Sequence, residues 1–254
     1  MIHVENLTFA YRDVPVLRGV TFDLTEGGLT ALLGCNGAGK TTLFRCMLGL
    51  LPGYKGSMQL DGKEMKQYTP RQLAAKIASI PQSHYPTFNY SVRDMVLMGT
   101  TQQLGMFAAP GKEQLRIADD AIDQLGIGDL ADRGFAQLSG GEKQLVLIAR
   151  ALAQQAKILF MDEPTSALDY GNQLRVMEKV RQLSQAGYTV ILSTHTPQHA
   201  LTYADRVLAL RGGVLEKDGA PQDVMDADLM RKLYGVEVAF VDTPYGRTMV
   251  NLQV

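Results

Sequence analysis

The sequence predicts an α/β protein: a mostly parallel sheet with an antiparallel β portion at the N-terminus and an inserted helical subdomain. Three observations carry this. The stretches "LTALLG" (29–34), "ILFMD" (158–162) and "TVILST" (189–194) are apolar almost throughout, as strands covered on both faces must be. A glycine-rich loop, "GCNGAGKTT" (34–42), follows the first of them and opens a helix-like stretch from Lys40 to Leu50. Between residues 91 and 152 the texture turns helical.

Each element has its own signal. Apolar residues alternate at Val4, Leu7 and Phe9 and again at Val20, Phe22 and Leu24, the mark of half-buried strands paired antiparallel. A long helical segment around Asn172–Ala186 separates the second and third buried strands, as right-handed crossovers in a parallel sheet require. The helical insert comprises "SVRDMVLMG", "KEQLRIADDAIDQLG" and "AQLSGGEKQLVLIARAL". After Arg206 come short strands, "RVLALRGG" and "VLEKDG", then a small helix near Asp228–Leu233. The chain closes with a hairpin, "VAFVDTPYGRTMVNL", turning at Pro244–Gly246. One domain over 1–254 is expected: a core of 1–90 and 153–220, a helical subdomain of 91–152, and a small extension of 221–254.

Composition narrows the function. With 254 residues and 46% hydrophobic content the chain can bury a full core. Twenty-five Lys and Arg against 26 Asp and Glu leave a net charge of -1, so there is no global pull toward nucleic acid or an anionic membrane. Cys35 and Cys46 have neither disulfide nor metal-pair spacing and read as reduced thiols, with Cys35 expected to be buried and inert. A basic-then-apolar leader is missing and no apolar run is long enough to cross a bilayer, so a soluble cytoplasmic chain is expected.

Gly34, Gly39, Lys40 and Thr41 fit G-x-x-x-x-G-K-[ST], the phosphate loop of RecA-like folds, between a buried strand and a helix. Asn36, Gly37, Ala38 and Gly39 bring successive backbone N–H groups round an anion, and the helix N-terminus adds its dipole. Lys40 then reaches the β- and γ-phosphates, the Thr41 hydroxyl binds Mg²⁺, and Thr42 adds a phosphate contact. Asp162 and Glu163 end the strand "ILFMD", where parallel sheets place their ligands. Asp162 suits the Mg²⁺ shell, and Glu163 faces an attacking water.

Together with "SIPQ" ending at Gln82, "LSGGEKQ" (138–144) and "LSTH" ending at His195, these motifs resemble the ATP-binding-cassette ATPases over essentially the whole chain. The resemblance implies ATP and Mg²⁺ as cofactors, Tyr11 stacking on adenine, Gln82 touching Mg²⁺ and water, and His195 holding the γ-phosphate beside Glu163 as general base. Taken alone, Tyr11 is a strand aromatic and Asp169 an N-cap. The resemblance instead sends Asp169 across to a second subunit. The remaining histidines, His3, His84 and His199, read as surface or packing residues. One cassette without a membrane span implies separate integral membrane permease subunits, placing the chain at the cytoplasmic face of the membrane. The stretches "SVRDMVLMGTTQQLGMFAAPGKEQ" and 219–252 resemble the importer branch for iron–siderophore, haem, vitamin B12 and some oxyanions, which works with a substrate-binding protein or lipoprotein. Thr100–Gln103 and Cys35 depart from that branch's usual residues. A soluble cassette acting in translation or DNA repair is the other reading, but two cassettes, a coiled-coil insert or basic surfaces are missing. A purely regulatory module would lack Glu163 or His195.

Ser139 and Glu142 form S-x-x-E, a capping box. That leaves Gly140 and Gly141, which cost a first helical turn on the order of 1 kcal/mol each relative to alanine. The resemblance implies a head-to-tail homodimer in which Ser139, Gly140, Gly141 and Glu142 close over the ATP of the other subunit.

Overall fold

A computed structural model of the protein describes residues 1–82, 88–104 and 109–252. The chain starts with β1 (Ile2–Tyr11) and β2 (Val14–Leu24), paired antiparallel from Ile2 opposite Leu24 to Tyr11 opposite Val14. Then come β3 (Leu29–Leu33) and α1 (Lys40–Met47). The helix stops short of the expected Leu50 because the Leu50 N–H turns back onto the Arg45 carbonyl at 2.9 Å. β4 (Lys55–Leu60) returns beside β1, and β5 (Lys63–Glu64) pairs with β4. α2 (Pro70–Ala74) and β6 (Ile77–Ile80) complete the first third.

α3 (Val92–Leu97), α4 (Lys112–Leu125) and α5 (Gly140–Ala153) follow and pack on one another. β7 (Ile158–Asp162), α6 (Tyr170–Gln185), β8 (Thr189–Thr194), α7 (Pro197–Tyr203), β9 (Arg206–Arg211) and β10 (Val214–Gly219) carry the chain back through the main sheet. It ends in α8 (Pro221–Val224), α9 (Ala227–Tyr234) and the antiparallel hairpin of β11 (Val238–Thr243) and β12 (Gly246–Asn251).

Among the described residues the main sheet runs β10-β9-β3-β8-β7-β6, parallel except for β10. Its strands bury both faces, and side-chain alternation divides them between two cores. Leu32, Phe160, Ile191 and Leu208 face the antiparallel sheet β2-β1-β4-β5 across α1. Ala31, Leu33, Leu159, Met161, Val190 and Leu192 face the layer of α4, α5, α6 and α9 residues. No helix among the described residues is long and apolar enough to cross a membrane. His84 lies outside the described residues, while His3 is half-exposed and His199 is buried.

Candidate active site

The carboxyl ends of β3, β7 and β8 meet at one cleft of about 480 Å³, lined by Val16, Asn36–Thr42, Gln82 and Glu163. Gly39 has φ 106, in the left-handed region that favours glycine, and this bend delivers the chain into the first turn of α1. Lys40 stands at the start of that helix with its side chain only 5% exposed. Its ammonium donates to the Gly34 carbonyl (2.8 Å) and the Cys35 carbonyl (3.2 Å), and lies 3.3 Å from Glu163 Oε1.

The other carboxylate oxygen of Glu163 lies 3.1 Å from His195 Nδ1, so the group sits between an ammonium and an imidazole. Glu163 itself has φ 47, a strained position for a residue with a side chain. Its backbone N–H donates to Ser193 Oγ at 3.0 Å. The Ser193 hydroxyl in turn donates to Asp162 Oδ1 (2.6 Å), while the Thr41 hydroxyl donates to Asp162 Oδ2 (3.0 Å). Thr41 and Asp162 thus present adjacent hydroxyl and carboxylate oxygens, the hard donors a Mg²⁺ ion takes alongside phosphate and water. Gln82 stands on the rim with its Nε2 donating to Ser166 Oγ at 3.0 Å.

Other predicted residues stand apart from this cleft. Tyr11 ends β1, 41% exposed and edge-on to Phe9 with ring centroids 4.9 Å apart. Asp169 caps α6, its Oδ1 accepting from the Asn172 N–H at 2.9 Å; that bond, and the Asn172 side chain, hold its carboxyl below the usual range. Ser139 and Glu142 close the expected capping box at the start of α5, the Ser139 N–H donating to Glu142 Oε2 at 2.7 Å.

Gly141 packs closely on α6. A Cβ there would lie 2.4 Å from Asn172 Oδ1, so α6 of the same chain is itself a reason for bare backbone at 141. Gly140 is exposed, and a Cβ there would meet only Leu168 Cδ2 at 3.1 Å. Cys35, expected to be buried, is partly exposed, whereas Cys46 is fully buried and its thiol is pushed up to about 11 by burial. Sequence reasoning missed Ser193, Ser166 and Asn172. Only Ser193 left a signal, as one of three hydroxyl residues, with Thr189 and Thr194, in a fully buried strand.

A phosphate loop on a parallel sheet, with a carboxylate pair and a histidine at the strand ends, defines a nucleotide-hydrolysing α/β protein. Residues 17–166 match the model of the ABC transporter family, and the chain belongs to that family. It is 42% identical to an ABC transporter ATP-binding protein of Haemophilus influenzae, covering 92% of this chain and 89% of the relative. The ferric enterobactin transport ATP-binding protein FepC of Escherichia coli is 32% identical, covering 96% and 90%. A solved structure described as a metal-chelate type ABC transporter, in an inward-facing conformation, superposes with TM-score 0.87 at 33% identity, covering 99% of this chain and 97% of that one. The chain is an ATP-binding ATPase subunit of a membrane transporter.

Proposed function

We propose that the chain hydrolyses ATP to drive a metal-chelate importer, with an iron–siderophore complex as cargo. The observation that carries the catalytic part is the Lys40–Glu163–His195 contact in the cleft at the strand ends. The cargo rests on the likeness to FepC, a ferric enterobactin transport protein, and to the metal-chelate type transporter.

In this reading Glu163 is the general base. A water attacks the γ-phosphorus, the bond to the β–γ bridging oxygen breaks, ADP leaves, and the water's proton passes to Glu163. Lys40 turns from Glu163 to the β- and γ-phosphates, and His195 holds a γ-phosphate oxygen while keeping Glu163 oriented. Tyr11 stacks on adenine and Asn36–Thr42 enclose the phosphates. Thr41, Asp162 and Gln82 are the side chains that would hold Mg²⁺, which neutralises phosphate charge when bound.

The subunit acts as a head-to-tail homodimer, with Ser139, Gly140, Gly141 and Glu142 of one copy over the ATP of the other and Asp169 at the crossing. It sits at the cytoplasmic face of the membrane on separate permease subunits, served by a substrate-binding protein or lipoprotein. Purified Glu163→Gln is expected to bind ATP and scarcely hydrolyse it; near-normal turnover removes Glu163 from its role. For the cargo, the subunit is purified with its membrane partner and reconstituted. ATPase stimulation by a ferric chelate is expected, and stimulation by an unrelated solute alone would overturn the assignment.

A further inference from the structure

Ser166 is itself firmly held, and it holds Gln82 in turn. Its Oγ accepts from Gln82 Nε2 at 3.0 Å. Its N–H donates to the Glu163 carbonyl at 3.2 Å, closing a turn that starts at the left-handed φ 47 of Glu163. The neighbouring residues fix that turn from two helices. Gln173 Nε2 on α6 donates to the Thr165 carbonyl (3.3 Å) and the Leu168 carbonyl (3.0 Å), while the buried Thr165 places its hydroxyl 3.5 Å from His199 Nδ1 on α7.

Gln82 has a use for such an anchor. It lies just beyond β6, whose Ile80 stands opposite Met161 of β7, so the strand register carries Gln82 alongside Glu163. Both residues line the nucleotide cleft. Gln82 is exposed, and a long exposed side chain gives up rotamer freedom when a ligand orders it. A tether already in place removes that cost before the ligand arrives. The tether also decides which end of the amide is offered. Ser166 takes the nitrogen, and Oε1 meets no donor among the described residues. Oxygen is the end that a hard cation accepts, whereas the amide nitrogen carries two protons and only donates.

We propose that Ser166 is a positioning residue for the metal shell: its hydroxyl fixes the Gln82 amide with Oε1 free for Mg²⁺ and ties it to the turn that carries Glu163. One turn of the chain then sets both a metal contact and the general base. The proposal rests on the reading of Gln82 as a Mg²⁺ contact.

The test measures binding to the full chain. A non-hydrolysable ATP analogue is titrated calorimetrically with Mg²⁺ present and with the metal chelated. In Ser166→Ala the gain in affinity that Mg²⁺ brings should shrink about fivefold, the worth of one neutral hydrogen bond. Affinity in chelator should stay within about twofold and the melting temperature should hold, because the tether joins an exposed side chain. Ser166→Thr keeps a hydroxyl and should restore the gain. An unchanged gain in folded Ser166→Ala overturns the proposal, as does a gain in Ser166→Thr no larger than in the alanine variant. A lowered melting temperature in Ser166→Ala overturns it too, since the hydroxyl would then be structural. Gln82→Ala, with and without Ser166→Ala, gives the second check. Because the hydroxyl acts through Gln82, the second substitution should add almost nothing; a further loss of about fivefold refutes the link. An intact gain in Gln82→Ala alone is a separate result: it removes Gln82 from the metal shell, and this proposal falls with it.

Discussion

Glu163 holds a backbone conformation that costs a non-glycine residue roughly 1–3 kcal/mol, and the side chains around it show what maintains it. Lys40 and His195 grip its two oxygens, and Ser193 takes its N–H. Ser193 also donates to Asp162, so one buried hydroxyl ties the two consecutive acids to β8. Ser193→Ala should lower turnover about ten- to a hundredfold, since a hydrogen bond to a charged group contributes roughly 1.5–3 kcal/mol. It should also raise the Mg²⁺ concentration needed for half-maximal rate. A magnesium titration of ATPase activity tests both, and unchanged kinetics would reduce Ser193 to packing. Lys40→Ala should weaken ATP binding far more than Tyr11→Ala, because it removes charged hydrogen bonds where the tyrosine removes stacking of about 0.5–1.5 kcal/mol. Direct titration of both variants with ATP gives the ranking. Lys40, Asp162 and Glu163 were readable from motif and strand position. Ser193 was not assigned, because nothing in an apolar strand says which carboxylate, 31 residues earlier, its hydroxyl will meet.

At the scale of elements, the start of α5 shows where pattern reading stops. The Ser139–Glu142 box was legible, because capping is local and the spacing alone implies it. The reason for Gly141 was not, because Asn172 comes from another helix. Gly141→Ala should destabilise the fold by about 1–3 kcal/mol through overpacking, although alanine is the better helix former by about 1 kcal/mol. Asn172→Ala in the same chain should recover part of that loss, and denaturant unfolding of the single and double variants measures the recovery.

α9 invites a pH test. Asp226 caps it, Oδ1 accepting from the Leu229 N–H at 2.7 Å, and Lys217 first and this N–H next hold its carboxyl below the usual range. A depressed carboxyl stabilises the fold above its unfolded value near 3.9, and that contribution is lost as pH falls through the lower folded value. Asp226→Ala should therefore cost about 1 kcal/mol at neutral pH and progressively less as pH falls below about 3.9, read from urea midpoints across that range.

For the whole molecule, the parallel core and the antiparallel N-terminal sheet could be read in advance because burial on two faces or one leaves different periods in the sequence. How the C-terminal hairpin seats on α7 could not, since it depends on a glutamine that carries no pattern of its own. Assembly is the open test at this scale. Glu163→Gln protein should dimerise when ATP is added, and Ser139→Arg in that background should abolish the change. Light scattering with and without ATP decides it, and an ATP-insensitive monomer would remove the head-to-tail arrangement.

The ammonium of Lys40 already has three oxygens around it, from Gly34, Cys35 and Glu163. Nucleotide therefore enters by exchange, one anion replacing another on the same cation, and measured affinity is a difference between two ion pairs. Neutralising Glu163 should tighten ADP and ATP alike and leave adenosine untouched, because adenosine brings no rival anion. Without nucleotide the cation of the phosphate loop is held by a carboxylate of the same chain, so the loop's affinity for phosphate is set partly by a residue outside it.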